Sequence, residues 1–310
     1  MEFFNGHSAV YYHDIKSYDI SKISNNDWNN FLKLYDNQST VFHTKEWMLA
    51  LQDAYGYEPK YLIDYIGDTI VNVIPYMIDK RYGIKNYLSM PFDTYGGVIG
   101  CGDKDPIIKS FKKLSGIGIK YFVSYYPNYY TADGFKSIKV ETELKDISMD
   151  IIDIWNGLHK DNRTSIRYAQ KHEVIIENIV NSNIFDKIDI NLYNAIVKNM
   201  PQYHVSFMAT IGKFPAAASI FFIYGDMMMY WTNTTTSMGR SNNANYLLLW
   251  EAIKYAKSHG CTVFNFGASP KGADSLIKFK KAWGTKTYEY VKYQHTPLLI
   301  KPILKIKELI

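Results

Sequence analysis

The run MMMYWTN (227–233) is followed by TTTSMGRSNNA (234–244), NYLLLWEAIKYAKSH (245–259), Gly260, CTVFNF (261–266), Gly267 and LIKFKKAWG (276–284). The first run reads as a strand and the second as a loop of small polar residues. The third has the 3.6-residue spacing of a helix, stopped by Gly260, and CTVFNF reads as a buried strand. A strand, a glycine-bearing loop and a helix start together make an anion site, because the first N–H groups of a helix lack partners within it. Tyr230 and Trp231 alternate on their strand, so only one faces a given cleft, and we assign that place to Tyr230. The methionines 227–229 read as packing.

Around this stretch lies a chain of 310 residues, long enough for two domains, with 47% hydrophobic residues to fill their cores. The 27 tyrosines suit ligand-facing walls, although a biased composition is the plainer source. Cys101 and Cys261, far apart and the only cysteines, suggest buried thiols in a reducing compartment rather than a disulfide framework. No apolar run reaches the roughly 20 residues that span a bilayer. The start MEFFNGHS lacks the basic and apolar regions of a signal peptide, so a cytoplasmic location is expected. The net charge is +5, and from residue 271 onward nine lysines face three acids, so the basic surplus lies wholly in the last segment. That asymmetry suits a polyanionic partner (phosphates, nucleic acid or an acidic membrane face) and equally a solvated lysine face. The eight histidines show no ligand spacing, and neither a metal nor a tightly bound cofactor is expected.

In chain order, helices are expected over 27–35 and 42–55, the second with Thr44 as N-cap, Trp47, Leu51 and Tyr55 on one face, and Gly56 as its stop. Gly67-Asp68 joins two strands as a hairpin. A strand from Tyr87 breaks at Pro91, and Gly96-Gly97 lets the backbone pass close to a neighbour. A helix over 104–114 and a strand over 120–125 follow, and the domain boundary is placed within 136–150. The second half opens with one helix over 151–170, then a strand over 174–179, a helix over 189–199 and strands over 205–211 and 214–224. YLIDYIGDTIVNVIPYMI and SFMATIGKFPAAASIFFI echo each other, which suggests two copies of one α/β unit with mixed sheets, 1–145 and 146–310.

The ordered segments VFHTKEWMLAL, YLSMPFDTYGG, NRTSIRYAQKHEV, GKFPAAASIFFIYGDMMMYW and NYLLLWEAIKYAKSHGCTVFNFGASPKGADSLIKFKKAWG resemble the FemABX-type aminoacyl transferases and their GNAT-like relatives over roughly residues 40–295. The resemblance implies two tandem GNAT-like domains that move an activated amino acid onto a free amine, often of a cell-wall peptide precursor, with aminoacyl-tRNA as donor. It also implies an acceptor-side first half and a donor-side second half. The long helical arm of some relatives is missing, and Ala50, Leu51 and Gln52 stand where several carry a lysine for the precursor's phosphates.

Such a transfer needs an oriented amine, a proton acceptor and a stabilised oxyanion, but no covalent nucleophile. Lys280 matches the family's functional Phe-Lys pair as a charge for a phosphate or an oxyanion, against the alternative of a solvated lysine beside Lys278 and Lys281. Phe279 belongs to a core or stacks a donor base. Arg163 and Arg167, one turn apart, form a fork for phosphates or a plain surface pair. Arg240, after Gly239, stands where a phosphate would sit, and Asn245 is a ligand or an N-cap. Asp93 and Tyr95 match the part of the family that faces the acceptor, Asp93 as base, amine-orienting group or turn cap. Trp47 belongs to the same wall or to the core. The tail PLLIKPILKIKELI (297–310) either touches anionic lipid or packs on its own domain. The leading expectation is an aminoacyl or acyl transferase acting on an amine of a cell-envelope precursor, with tRNA as partner. The alternatives are an acyl-CoA-dependent GNAT N-acyltransferase and a non-catalytic peptide- or sugar-binding GNAT pair.

Overall fold

A computed structural model describes residues 12–81, 83–125, 129–179, 189–270 and 272–300. Its first half comprises β1 (His13–Asp19), α1 (Asn25–Leu34), α2 (Lys45–Tyr55), β2 (Glu58–Ile66), β3 (Thr69–Arg81), β4 (Ile84–Ser89), β5 (Ile99–Gly100), α3 (Asp105–Lys112) and β6 (Lys120–Val123). Then follow β7 (Lys136–Asp146), α4 (Ile151–Asn156), α5 (Lys160–Lys171), β8 (Val174–Asn178), α6 (Ile190–Asn199), β9 (His204–Ile211), β10 (Phe214–Tyr224) and β11 (Met227–Thr235). The chain closes with α7 (Ser237–Ser241), α8 (Ala244–Ser258), β12 (Val263–Ala268), α9 (Asp274–Lys281) and β13 (Lys286–His295).

Local chemistry sets many of these boundaries. Thr44 Oγ1 accepts the Trp47 N–H at the start of α2, and Gly56 ends the helix at φ 68°. Ser24 caps α1 and Asp189 caps α6 in the same way. The echoed hairpins are real: β2–β3 and β9–β10 are antiparallel pairs, turned by Gly67 at φ 60° and Gly212 at φ 59°.

Three sequence expectations change. Segment 136–150, read as a boundary, contains β7, which pairs with β12 on one side and β13 on the other. The single helix over 151–170 is two, α4 and α5, broken at Gly157. The loop over 234–244 holds the short helix α7.

The strands form one continuous sheet in the order β1-β2-β3-β4-β6-β13-β7-β12-β11-β10-β9-β8, with β5 beside β3. The C-terminal strand β13 thus lies between β6 and β7 and ties the halves together. One face carries α1, α2 and α6 over Tyr61, Ile63, Ile220, Phe222 and Tyr290, and α6 of the second half packs on α2 of the first. On the opposite face, α3 covers Leu62, Tyr76 and Phe122, while α4, α5 and α8 cover Phe207, Phe221 and Phe264. Alternation along β10, with Phe221 to one side and Phe222 to the other, is what makes a single sheet serve both cores. Burying each such aromatic contributes about 1.5–3 kcal/mol.

Candidate functional site

β11 and β12 run parallel and pair at Met227↔Val263, Met228↔Phe264 and Met229↔Asn265. Their ladder stops there, although β11 continues to Thr235 and β12 to Ala268, whose partner is Thr142 of β7. Gly267, at φ 70°, turns the end of β12, and its N–H donates to Asn265 Oδ1 at 2.7 Å.

Lys280 stands beside this strand end. It is 4% exposed, so the solvated-lysine reading does not apply. Its Nζ donates to the carbonyls of Gly267 at 2.9 Å and Ala268 at 2.7 Å. An ammonium has three N–H donors, so one remains for a ligand. Burial pushes its pKa down to about 8, partly opposed by the charge of Glu143. A lysine kept near neutrality at a strand end is the kind of group that marks functional sites.

Across the sheet lies a cavity of about 410 Å³ between the halves, with Thr40, Phe42 and Tyr95 on one side and Phe222, Tyr224, Met227 and Met229 on the other. Among the described residues its charged lining groups are Asp36 and Asp226. Tyr95 is 3% exposed and its hydroxyl pairs with Thr142 Oγ1 at 3.2 Å. Thr142 in turn donates to Asn265 Oδ1 at 3.2 Å. A chain of hydrogen bonds therefore runs from the cavity wall through Tyr95, Thr142, Asn265 and Gly267 to Lys280.

The other predicted residues occupy varied places. Asp93 does not line the cavity: its carboxylate is 59% exposed and joins Tyr121 and Lys292. Phe92 and Asp93 both hold left-handed backbone, at φ 64° and 58°, a strained arrangement for non-glycine residues. Trp47 is fully buried against Phe42, Phe222 and Trp231, which makes it a core residue and corrects its assignment to a binding wall. Arg163 does not fork outward; its Nη1 donates to the carbonyls of Asn156 at 2.8 Å and Leu158 at 2.9 Å, closing the end of α4. Arg167 lies over the Trp155 ring at 5.3 Å, so the two arginines serve separate partners. Arg240 donates to Thr235 O at 2.6 Å and remains exposed.

Tyr230 and Trp231 do alternate: Tyr230 stacks on Phe221 while Trp231 meets Trp47 on the other face. The Tyr230 hydroxyl is buried and its pKa raised by desolvation. Asn243, at φ 54°, is the N-cap of α8, so Asn245 is not; its Oδ1 is buried without a hydrogen-bond partner. Phe279 packs edge-on against Tyr246 and Trp283 in the core beneath α8. Cys261 is buried as expected, whereas Cys101 is exposed.

Sequence reasoning missed Glu143, Thr142 and Asn265. For Glu143 and Thr142 the signal was the alternation KVETELKD (139–146), and for Asn265 it was a lone polar residue inside the buried-strand run CTVFNF (261–266). Lys271 and residues 301–310, including most of the tail considered for membrane contact, lie outside the described residues. Among the described residues no helix is long and apolar enough to cross a membrane, and no group of three or more His, Cys, Asp or Glu is placed to hold a metal.

Residues 167–281 match the family described as "Acetyltransferase (GNAT) domain". Aminoacyltransferase FemA of Staphylococcus aureus is 33% identical over 99 residues, covering 30% of this chain and 22% of that protein. The match thus spans about a fifth of the curated relative. The crystal structure of FemX superposes with a TM-score of 0.65 at 13% identity, covering 89% of this chain and 96% of that one. A tandem GNAT protein from the clavulanic acid biosynthesis pathway gives 0.58 at 8% identity, with coverage of 91% and 98%. At these identities the structural likeness concerns the fold. The sequence likeness is thus local, to FemA and to the GNAT domain, and the fold is that of FemX and of a tandem GNAT protein.

Proposed function

We propose that this chain is an acyltransferase that forms an amide between an activated acyl group and a primary amine. The observation that carries the reading is Lys280, a buried ammonium that spends two donors on the end of β12 and keeps one. In the reaction the amine nitrogen attacks the acyl carbonyl carbon, a C–N bond forms and the carbonyl oxygen becomes negative. Lys280 stabilises that oxygen as a point charge in a site that excludes most water. The ester or thioester bond then breaks, and the amine's proton leaves with the departing oxygen or sulfur.

In this reading residues 146–310 form the donor side and 1–145 the acceptor side. The cavity of about 410 Å³, whose charged groups among the described residues are both carboxylates, holds a cationic part of the acceptor away from its reacting amine. The favoured donor is an aminoacyl-tRNA and the favoured acceptor an amine of a cell-envelope precursor. The aminoacyltransferase name of the FemA relative supports an aminoacyl group as the one transferred, and the basic surplus after residue 270 suits a polyanionic donor. Acyl-CoA is the second reading, supported by the GNAT match over residues 167–281. The loop before α8 lends it little: a Cβ on Gly239 would lie 2.0 Å from Ala216 O, so close packing on β10 already requires that glycine.

Purified protein incubated with charged tRNA or acyl-CoA and a panel of amines, read by mass spectrometry for a new amide, tests the proposal. Folded protein that transfers nothing from either donor to any amine would sink it.

A further inference from the structure

Glu143 is a carboxylate with 3% exposure in the middle of the sheet, where a lone charge is costly. β13 lies antiparallel beside it, with Thr287 directly opposite. Thr287 Oγ1 donates to Oε1 at 2.8 Å and Thr285 Oγ1 to Oε2 at 2.5 Å, so each oxygen has one hydroxyl. Thr285 closes the turn between α9, which ends at Lys281, and β13, which begins at Lys286, and its hydroxyl also lies 3.4 Å from the Lys280 carbonyl. The helix that carries Lys280 and the strand that follows it are therefore both fastened to this one carboxylate.

We propose that Glu143 is the positioning residue of the Lys280 site, its buried negative charge, anchored by Thr285 and Thr287 close to the end of α9, holding the ammonium docked on the end of β12. This inference rests on the reading of Lys280 as the group that meets the reacting carbonyl oxygen. Hydroxyl donors from two threonines suit an ionised carboxylate, which accepts and does not donate. Other groups around Lys280 do not supply the same charge. Lys145, on the same face of β7, is a cation whose Nζ lies 3.3 Å from the position a Cβ would take on Gly284. α9 itself carries Asp274 in its first turn and Lys278 and Lys281 in its last. β12 has no titratable side chain between Val263 and Ala268, β13 begins with Lys286, and His159 of the α4–α5 turn meets Ala282 through its backbone N–H. Without Glu143 the surroundings of Lys280 are mainly cationic and apolar.

The test is trace labelling of the full chain with acetic anhydride across the pH range, quantified at Lys280 by peptide mass spectrometry, with Lys278 and Lys281 as internal references. Glu143→Gln, which keeps the shape and removes the charge, should lower the midpoint of Lys280 labelling by about one pH unit. Glu143→Asp should restore it in part, and the reference lysines should stay in place. A Lys280 midpoint that stays where the unaltered chain has it overturns the proposal. Where Glu143→Gln melts too early for labelling, a double-mutant cycle with Lys280→Met decides. A double variant that melts above Glu143→Gln supports a charge unit, and additive loss overturns it. Labelling reads Lys280 directly, so a chain that transfers no acyl group leaves this result standing. An unmoved midpoint equally leaves the transfer reading standing.

Discussion

The two halves contain the same device, a short parallel strand pair, and complete it differently. In the first half β4 and β6 pair at Tyr87↔Lys120, Leu88↔Tyr121 and Ser89↔Phe122. The chain then bends through Pro91 and comes back: Gly96 N donates to Val123 O at 3.0 Å, and Gly97 N to Ser89 Oγ at 3.1 Å. In the second half β11 and β12 also pair at three positions, but the carbonyls at the end of β12 are taken by the Lys280 ammonium. A backbone amide makes one fixed bond. An ammonium makes three and carries a charge that pH can remove. One unit is closed by backbone amides, and its counterpart by a buried ammonium at the equivalent place.

The strongest way to break this comparison is Lys280→Ala. Losing a preorganised charge at the reacting oxygen should lower turnover by about 10²–10³-fold. The melting temperature should fall as well, because the two carbonyls at the end of β12 lose their buried donor, so turnover is compared per folded molecule. Turnover and a thermal melt on the same preparation check it, and unchanged turnover would make both units structural.

A matched pair of glycine substitutions sharpens the contrast in space. At Gly97, φ 92°, a Cβ would lie 2.5 Å from the Tyr130 hydroxyl and 3.1 Å from Val123 O. At Gly267, φ 70°, the nearest atom would be Tyr230 O at 3.6 Å. Gly97→Ala should cost about 3 kcal/mol, from overlap added to left-handed strain. Gly267→Ala should cost only about 1 kcal/mol, the strain alone. Urea unfolding of both variants measures the difference, and equal costs would contradict it.

A smaller effect is electrostatic. Burial lowers the pKa of Lys280 from 10.5 to about 8 in the folded chain. Between these values the unfolded state holds the extra proton, so stability should rise with pH across that window. Lys104, also held down to about 8 by burial, adds the same trend from the first half. Lys280→Met should therefore remove part of the slope in melts between pH 8 and 10 and leave the rest. A slope identical to that of the unaltered chain would contradict the burial of Lys280.

The smallest effect expected lies at the cavity. Asp36→Asn should raise KM for a cationic amine about two- to fivefold with kcat unchanged, the scale of one exposed charge. Steady-state kinetics with amines of different charge would reveal it, and a loss confined to kcat would speak against Asp36 as a binding group.

Much of the fold was legible in the residues. Thr44 and Gly56 delimit α2, and Gly67 and Gly212 turn matching hairpins, because caps and turns are decided by atoms a few residues apart. The site was legible in part. Lys280 stood out through its resemblance to the Phe-Lys pair, but Arg163 and Arg167 looked like an outward fork. They bond instead to a helix end and a tryptophan that only the break at Gly157 brings near. Glu143 escaped notice because alternate charges along β7 look solvated until β13 and α9 cover them.

The sequence alone determined the paired hairpins and the capped helices, since each depends on short-range periodicity and hydrogen bonding. Only the tertiary structure decided that β13 would enter the sheet between β6 and β7, and that Lys280 and Glu143 would both be buried. Those outcomes depend on desolvation by segments more than a hundred residues apart, and no local pattern encodes how much water a charge will lose.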